Sequence, residues 1–163
     1  MQLHKEGIIH RDLKPENILV GFNWKVFLAD FGFAIYEKEL KKENQYARVG
    51  TLEFYPIEML SPCFRKDKIT YDHRVDIWSM GIIIYELLYS RTPFYTGNEV
   101  DTKARIRSLK FTFPAKRPSN SSTLHLAENL FRRIFVLPAN RISLEEVLAH
   151  PWLAPCHTQM KPF

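Results

Sequence analysis

The apolar positions of this 163-residue chain fall into a few blocks of different period. From Val75 to Ser90 the chain is apolar nearly all round, with Val75, Ile77, Trp78, Met80, Ile82, Ile83, Ile84, Leu87 and Leu88. A helix without a polar face belongs in a core, so this block is read as a buried central helix, ended by Thr92-Pro93. Ser122 to Val136 sets Leu124, Ala127, Leu130, Phe131, Ile134 and Phe135 at helical spacing, with Glu128, Arg132 and Arg133 elsewhere. That pattern predicts an amphipathic helix. Ser143-Leu144-Glu145-Glu146 forms a capping box and starts a short helix reaching about His150, before Pro151. Ile18 to Val20 and Lys25 to Ala29 read as short strands joined by Gly21-Phe22-Asn23-Trp24 as a hairpin. Met1 to Gly7 looks like the end of a helix with Gly7 at the C′ position. It is too short to stand alone, so its start is expected upstream. Phe33 to Gly50 is polar and irregular, a long loop of the kind that carries function.

Composition changes this picture little. The chain is 45% hydrophobic and 25% charged, ordinary for a globular domain. A net charge of +5 could attract nucleic acid, phosphates or acidic lipid. The densest basic cluster, Lys38, Lys41 and Lys42, alternates with Glu37, Glu39 and Glu43, which reads as a solvated face. No nucleic-acid partner is therefore expected. Cys63 and Cys156 are far apart and fit reduced thiols, in the cytoplasm or nucleus. The histidines form no metal set. The start is too polar for a signal peptide, and the apolar run Ile82 to Tyr85 is too short to span a membrane, so no membrane partner is expected.

The chemistry concentrates in His10-Arg11-Asp12-Leu13-Lys14-Pro15-Glu16-Asn17 and in Asp30-Phe31-Gly32. Phosphoryl transfer from a magnesium nucleotide needs a group to orient the attacking hydroxyl and oxygen ligands for metal. Asp12 supplies the first, and Asn17 and Asp30 supply the second. Lys14 offers a cation for the transferring group. Taken singly, a loop Asp or Asn can equally cap a turn; the set together is harder to explain that way.

These stretches resemble the catalytic loop and magnesium loop of eukaryotic protein kinases. Lys14 is the residue that serine/threonine kinases show there. The resemblance continues downstream. Gly50-Thr51-Leu52-Glu53 and Pro56-Ile57-Glu58 resemble the end of an activation segment, where Thr51 would bond between Asp12 and Lys14. Asp76-Ile77-Trp78-Ser79 resembles the start of the central helix, where Asp76 would brace the catalytic loop. Arg141 resembles the partner of Glu58, and His150-Pro151-Trp152 a terminal motif. His10, Arg11, Phe31 and Gly32 are supporting residues in the same pattern, and Leu19 would floor an adenine. Glu16 and Glu86 match two acids that hold a substrate arginine; local contacts and a helix surface explain them equally well. Gly50 to Glu53, Pro56, Lys110 to Ala115 and His150 to Leu153 are most similar to the Aurora group.

The implied fold is mainly α, the C-terminal lobe of the protein kinase-like α+β fold. It would be a helical bundle around a buried central helix, with a short β-hairpin by the catalytic loop. Residues 1–153 would form a partial kinase domain, the C-lobe without its N-lobe, and residues 154–163 a tail. The implied function is a serine/threonine protein kinase using ATP and Mg2+ on protein substrates. Four departures qualify it. Neither a glycine-rich loop nor a strand lysine occurs in these 163 residues, so the chain alone is expected to be inactive. Ala47 stands where the Aurora pattern has a threonine, preceded by Tyr46. That leaves Tyr46, Glu43, an activating partner protein or no switch at all. Ile57 replaces a proline, and Arg65-Lys66-Asp67-Lys68 reads as a surface excursion. A pseudokinase scaffold and a truncated fragment stay open as alternatives, although a scaffold has no need for Asp12, Asn17 and Asp30 together.

Overall fold

The computed structural model describes residues 2–40, 49–60, 71–114 and 123–153. The described residues include five α-helices: α1 (Gln2–Lys5), α2 (Arg74–Tyr89), α3 (Glu99–Ser108), α4 (Leu124–Ile134) and α5 (Leu144–Leu148). Four short strands, β1 (Ile8–Ile9), β2 (Ile18–Val20), β3 (Val26–Leu28) and β4 (Ile35–Tyr36), and several 3₁₀ turns accompany them among the described residues. The strands form two separate two-stranded antiparallel sheets, β1 with β4 and β2 with β3.

Helix α2 crosses the core. Val75, Ile77, Trp78, Ile82, Ile83 and Tyr85 are buried along it. Trp78 stacks on Phe94 at 5.2 Å and meets the edge of Phe135 at 5.1 Å. Gly81 lets α4 approach closely, because a Cβ there would sit 2.6 Å from Ile134 Cγ2. The apolar stripe of α4, Leu124, Ala127, Leu130, Phe131 and Ile134, faces that contact. Leu87, at the far end of α2, is 77% exposed, so the block is not buried along its whole length. The capping box of α5 is formed: Ser143 Oγ accepts from Glu146 N at 3.2 Å, and Glu146 Oε2 accepts from Ser143 N at 2.8 Å.

Two features differ from the expectations. The stretch after Phe33 is not wholly irregular. Ile35 and Tyr36 pair with Ile9 and Ile8, and Glu37–Glu39 forms a 3₁₀ turn. Two-residue strands are too short to leave a period-2 pattern. Helix α3 was not expected at all, since only Thr102 and Ile106 of its ten residues are buried. Its start is set by Asn98, whose side chain accepts from Val100 N and Asp101 N. The expectations for Glu43, Tyr46, Ala47, Cys63, Arg65 to Lys68 and the tail 154–163 lie outside the described residues.

Candidate active site

The loop between β1 and β2 carries the site and is anchored from beneath. Asp76, buried in the first turn of α2, accepts from His10 N and Arg11 N at 2.9 Å each. These bonds fix Arg11 at φ 68, a left-handed conformation uncommon for a residue with a side chain. The Arg11 side chain donates to Phe33 O at 2.6 Å and to Tyr71 Oη at 2.9 Å. His10 is fully buried, and its Nε2 donates to Ala29 O at 3.0 Å while its ring meets Phe31 at 5.0 Å. The His10–Asn17 loop and the Asp30-Phe31-Gly32 loop are thus tied through one imidazole.

Above this frame Asp12, Lys14 and Thr51 form a triangle. Lys14 Nζ lies 2.7 Å from Asp12 Oδ2 and 3.2 Å from Thr51 Oγ1, which donates to Asp12 Oδ1 at 3.2 Å. The hydrogen bond to Asp12 holds the Lys14 ammonium above its ordinary pKa, helped by the charges of Asp12, Glu16 and Asp30 against partial desolvation. Gly50 makes the close approach of Thr51 feasible. Its φ is 97, and a Cβ would sit 2.7 Å from Arg11 O and 3.0 Å from Asp12 Oδ1.

Asn17 is buried and donates from Nδ2 to Asp12 O at 2.9 Å, which leaves its Oδ1 for another ligand. Asn17 O accepts from Ala29 N at 2.9 Å, so the Asp30 loop runs beside it. Asp30 is exposed with φ 58, and one of its carboxylate oxygens accepts from Gly32 N at 3.2 Å. One amide oxygen and one carboxylate oxygen suit magnesium, which keeps waters and phosphates for its remaining positions. Leu19, on β2 opposite Phe27, is 52% exposed beside this loop.

Arg141 lies behind the 3₁₀ turn that carries Glu58 and uses all five of its N–H groups. Its Nη1 and Nη2 reach Glu58 at 2.6 and 2.9 Å, and its other bonds go to Ile134 O, Arg74 O and Val136 O. Its guanidinium also sits over Trp78 at 5.0 Å.

Glu16 is exposed in the 3₁₀ turn Pro15–Asn17, and Glu86 is half-buried on α2 with Oε2 unpartnered among the described residues. Glu53 joins them. Burial first, then the charges of Glu86 and Glu16, push its carboxyl above the ordinary value. Sequence reasoning missed Glu53 as a member of this acidic group; its only sign was its place beside Thr51. It also missed His4, whose Nε2 lies 2.9 Å from Asp76 Oδ2 across 72 positions. No local pattern marks a residue of that kind.

The model of the protein kinase domain matches residues 1–153. Mouse Aurora kinase C is 35% identical over 92% of the chain, and zebrafish Aurora kinase B is 33% identical over 92%. The Aurora kinase of Dictyostelium discoideum is 35% identical over 92%. The chain spans 49%, 42% and 35% of these three relatives, half of their length or less.

Proposed function

We propose that this chain, which belongs to the protein kinase family, carries the substrate- and metal-binding half of a serine/threonine protein kinase. The lobe and its limits are part of the same reading: residues 1–153 as the C-terminal lobe and 154–163 as a tail. The observation that carries it is the Asp12, Lys14 and Thr51 triangle beside the carboxamide of Asn17 and the exposed carboxylate of Asp30.

Kinases of this family use ATP and Mg2+, and bound metal would offset charge on the phosphates. The chain's own residues do the rest. Asp12 is buried with its oxygens turned to Lys14 and Thr51, so it can orient a serine or threonine hydroxyl and take its proton. Lys14 offers its ammonium to the transferring group. Asn17 and Asp30 supply oxygen ligands, and Leu19 offers an apolar floor to adenine. His10, Arg11, Phe31 and Gly32 hold the two loops in register, while Asp76 and the Glu58–Arg141 pair hold those loops on α2 and the activation segment. The charge of Glu16, Glu53 and Glu86 supports a substrate arginine near the accepting hydroxyl. The Arg11 contacts with Phe33 O and Tyr71 Oη support loop positioning by neutral oxygens.

The test joins this chain to a lobe bearing a glycine-rich loop and strand lysine, then measures transfer from Mg-ATP to a serine peptide. Transfer is expected, and Asp12→Asn should lower it about 10²–10⁴-fold. The 163-residue chain alone should transfer nothing, because half of the positioning is missing from it. Transfer indifferent to Asp12→Asn would reject the reading in favour of a scaffold. Peptides with and without arginine that react equally would remove the acidic-site assignment.

A further inference from the structure

We propose that Tyr71 is a positioning residue for the phosphoryl-transfer site, its hydroxyl setting the Arg11 side chain and, through it, the carboxylate of Asp12. The inference rests on the function proposed above. Tyr71 stands just ahead of α2, and its Oη accepts from Arg11 Nη1 at 2.9 Å across 60 positions of the chain.

Arg11 is the place where a small displacement would be felt. It directly precedes Asp12, and its backbone sits at φ 68. A residue with a Cβ keeps that conformation only where its surroundings hold it. Its N–H donates to Asp76 Oδ1 at 2.9 Å. Its Nε donates to Phe33 O, next to Gly32, at 2.6 Å, and its Nη1 to Tyr71. The guanidinium therefore joins the His10–Asn17 loop, the end of the Asp30-Phe31-Gly32 loop and the entry to α2. Asp76 anchors the Arg11 backbone to that entry, and Tyr71 anchors the side chain.

The tyrosine ring keeps its hydroxyl in place. It is 9% exposed and packs in a cluster with Ile9, Leu40, Met59 and Val75. Ile9 belongs to β1, which leads into the loop, so the same cluster supports both partners of the bond. A hydroxyl already fixed by packing loses little further freedom when it accepts a hydrogen bond.

The neighbours of Tyr71 at this entry are engaged elsewhere. Asp72 accepts from Arg74 N at 2.9 Å and pairs with Arg74 Nε at 3.1 Å. His73 Nδ1 lies 3.1 Å from Glu37 Oε1. The Tyr71 hydroxyl is neutral, but its donor is a guanidinium, and hydrogen bonds with one ionised member are the stronger class.

Tyr71→Phe keeps the ring and removes the hydroxyl. In the 163-residue chain, NMR should show the Arg11 Nε–H exchanging with solvent about tenfold faster, as the loss of one hydrogen bond allows. The urea midpoint should hardly move, because the freed Nη1 can turn to water. In the chain joined to a lobe bearing a glycine-rich loop and strand lysine, kcat should fall about tenfold with the peptide KM unchanged. Orientation of Asp12 acts in transfer rather than in binding. Arg11→Gln combined with Tyr71→Phe should be no slower than Arg11→Gln alone, since the hydroxyl acts through that side chain. A packing role would instead make the two losses add. Unchanged Arg11 exchange in Tyr71→Phe, or additive losses in the double variant, overturns the proposal. A joined chain that transfers nothing would reject the proposed function, and the exchange measurement would then decide the role of Tyr71 by itself.

Discussion

The His10–Asn17 loop and the β2–β3 hairpin that follows it are neighbours in sequence and opposites in support. The loop's polar groups are paired with α2: Asp76 takes two of its backbone donors, and His10 and Asp12 are buried. The hairpin presents Leu19, Val20, Val26 and Phe27 with 46–60% of their surface exposed, and Phe22 and Trp24 are nearly bare at its tip. A hydrogen-bonded frame holds its groups in a defined geometry, which orientation-sensitive chemistry needs. An apolar shelf only has to offer area. The same contrast separates Asn17, which is buried and hydrogen-bonded to Asp12 O, from Asp30, which is exposed.

The contrast is broken most severely at the buried frame. Arg141→Met leaves Glu58 charged and unpaired, and should cost about 3–5 kcal/mol in urea unfolding. Adding Glu58→Leu should recover much of that loss, because the orphan charge goes with it; a double variant no better than the single would mean that the pair adds net stability. Asp76→Ala comes next. It orphans two backbone N–H groups and should cost about 2–4 kcal/mol, with early loss of exchange protection at His10 and Arg11.

The hairpin sharpens the comparison from the other side. Phe22→Ser with Trp24→Ser should move stability by no more than about 0.5 kcal/mol, while raising the concentration at which the chain stays in solution. A large loss in unfolding would mean that the tip is part of the core. The smallest effect belongs to Glu53. Burial and its acidic neighbours raise its pKa above 4.5 in the folded chain, so the native state holds the proton more tightly than the unfolded one. Its contribution to stability is therefore complete below pH 4.5 and is lost as pH rises through the raised value. Glu53→Gln should flatten that part of the stability profile and leave the variant slightly the more stable at neutral pH, by thermal melts across the window.

Much of the fold could be read locally. α2, α4, the capping box of α5 and the hairpin all announce themselves by apolar period, cap or turn chemistry. α3 did not, because two buried residues at an i, i+4 spacing within Glu99–Ser108 look like a solvated segment. The β1–β4 pair did not, because its register joins residues far apart along the chain, Ile9 with Ile35 and Ile8 with Tyr36. In the site, the residue types of Asp12, Lys14, Asn17 and Asp30 were legible from their order along the chain. The acidic company of Glu53 and the His4 contact with Asp76 were not.

By itself, then, the sequence determined which chemical groups are present and which local segments form helices and a hairpin, since those depend on neighbours within a few positions. Tertiary structure alone decided how these groups are held. Asp76 reaches back to His10, Arg141 crosses to Glu58 and Thr51 swings over Asp12, each across dozens of residues. Contacts of that range leave no period in the chain, because they are selected by the packing of α2, α4 and the loops around them rather than by adjacency.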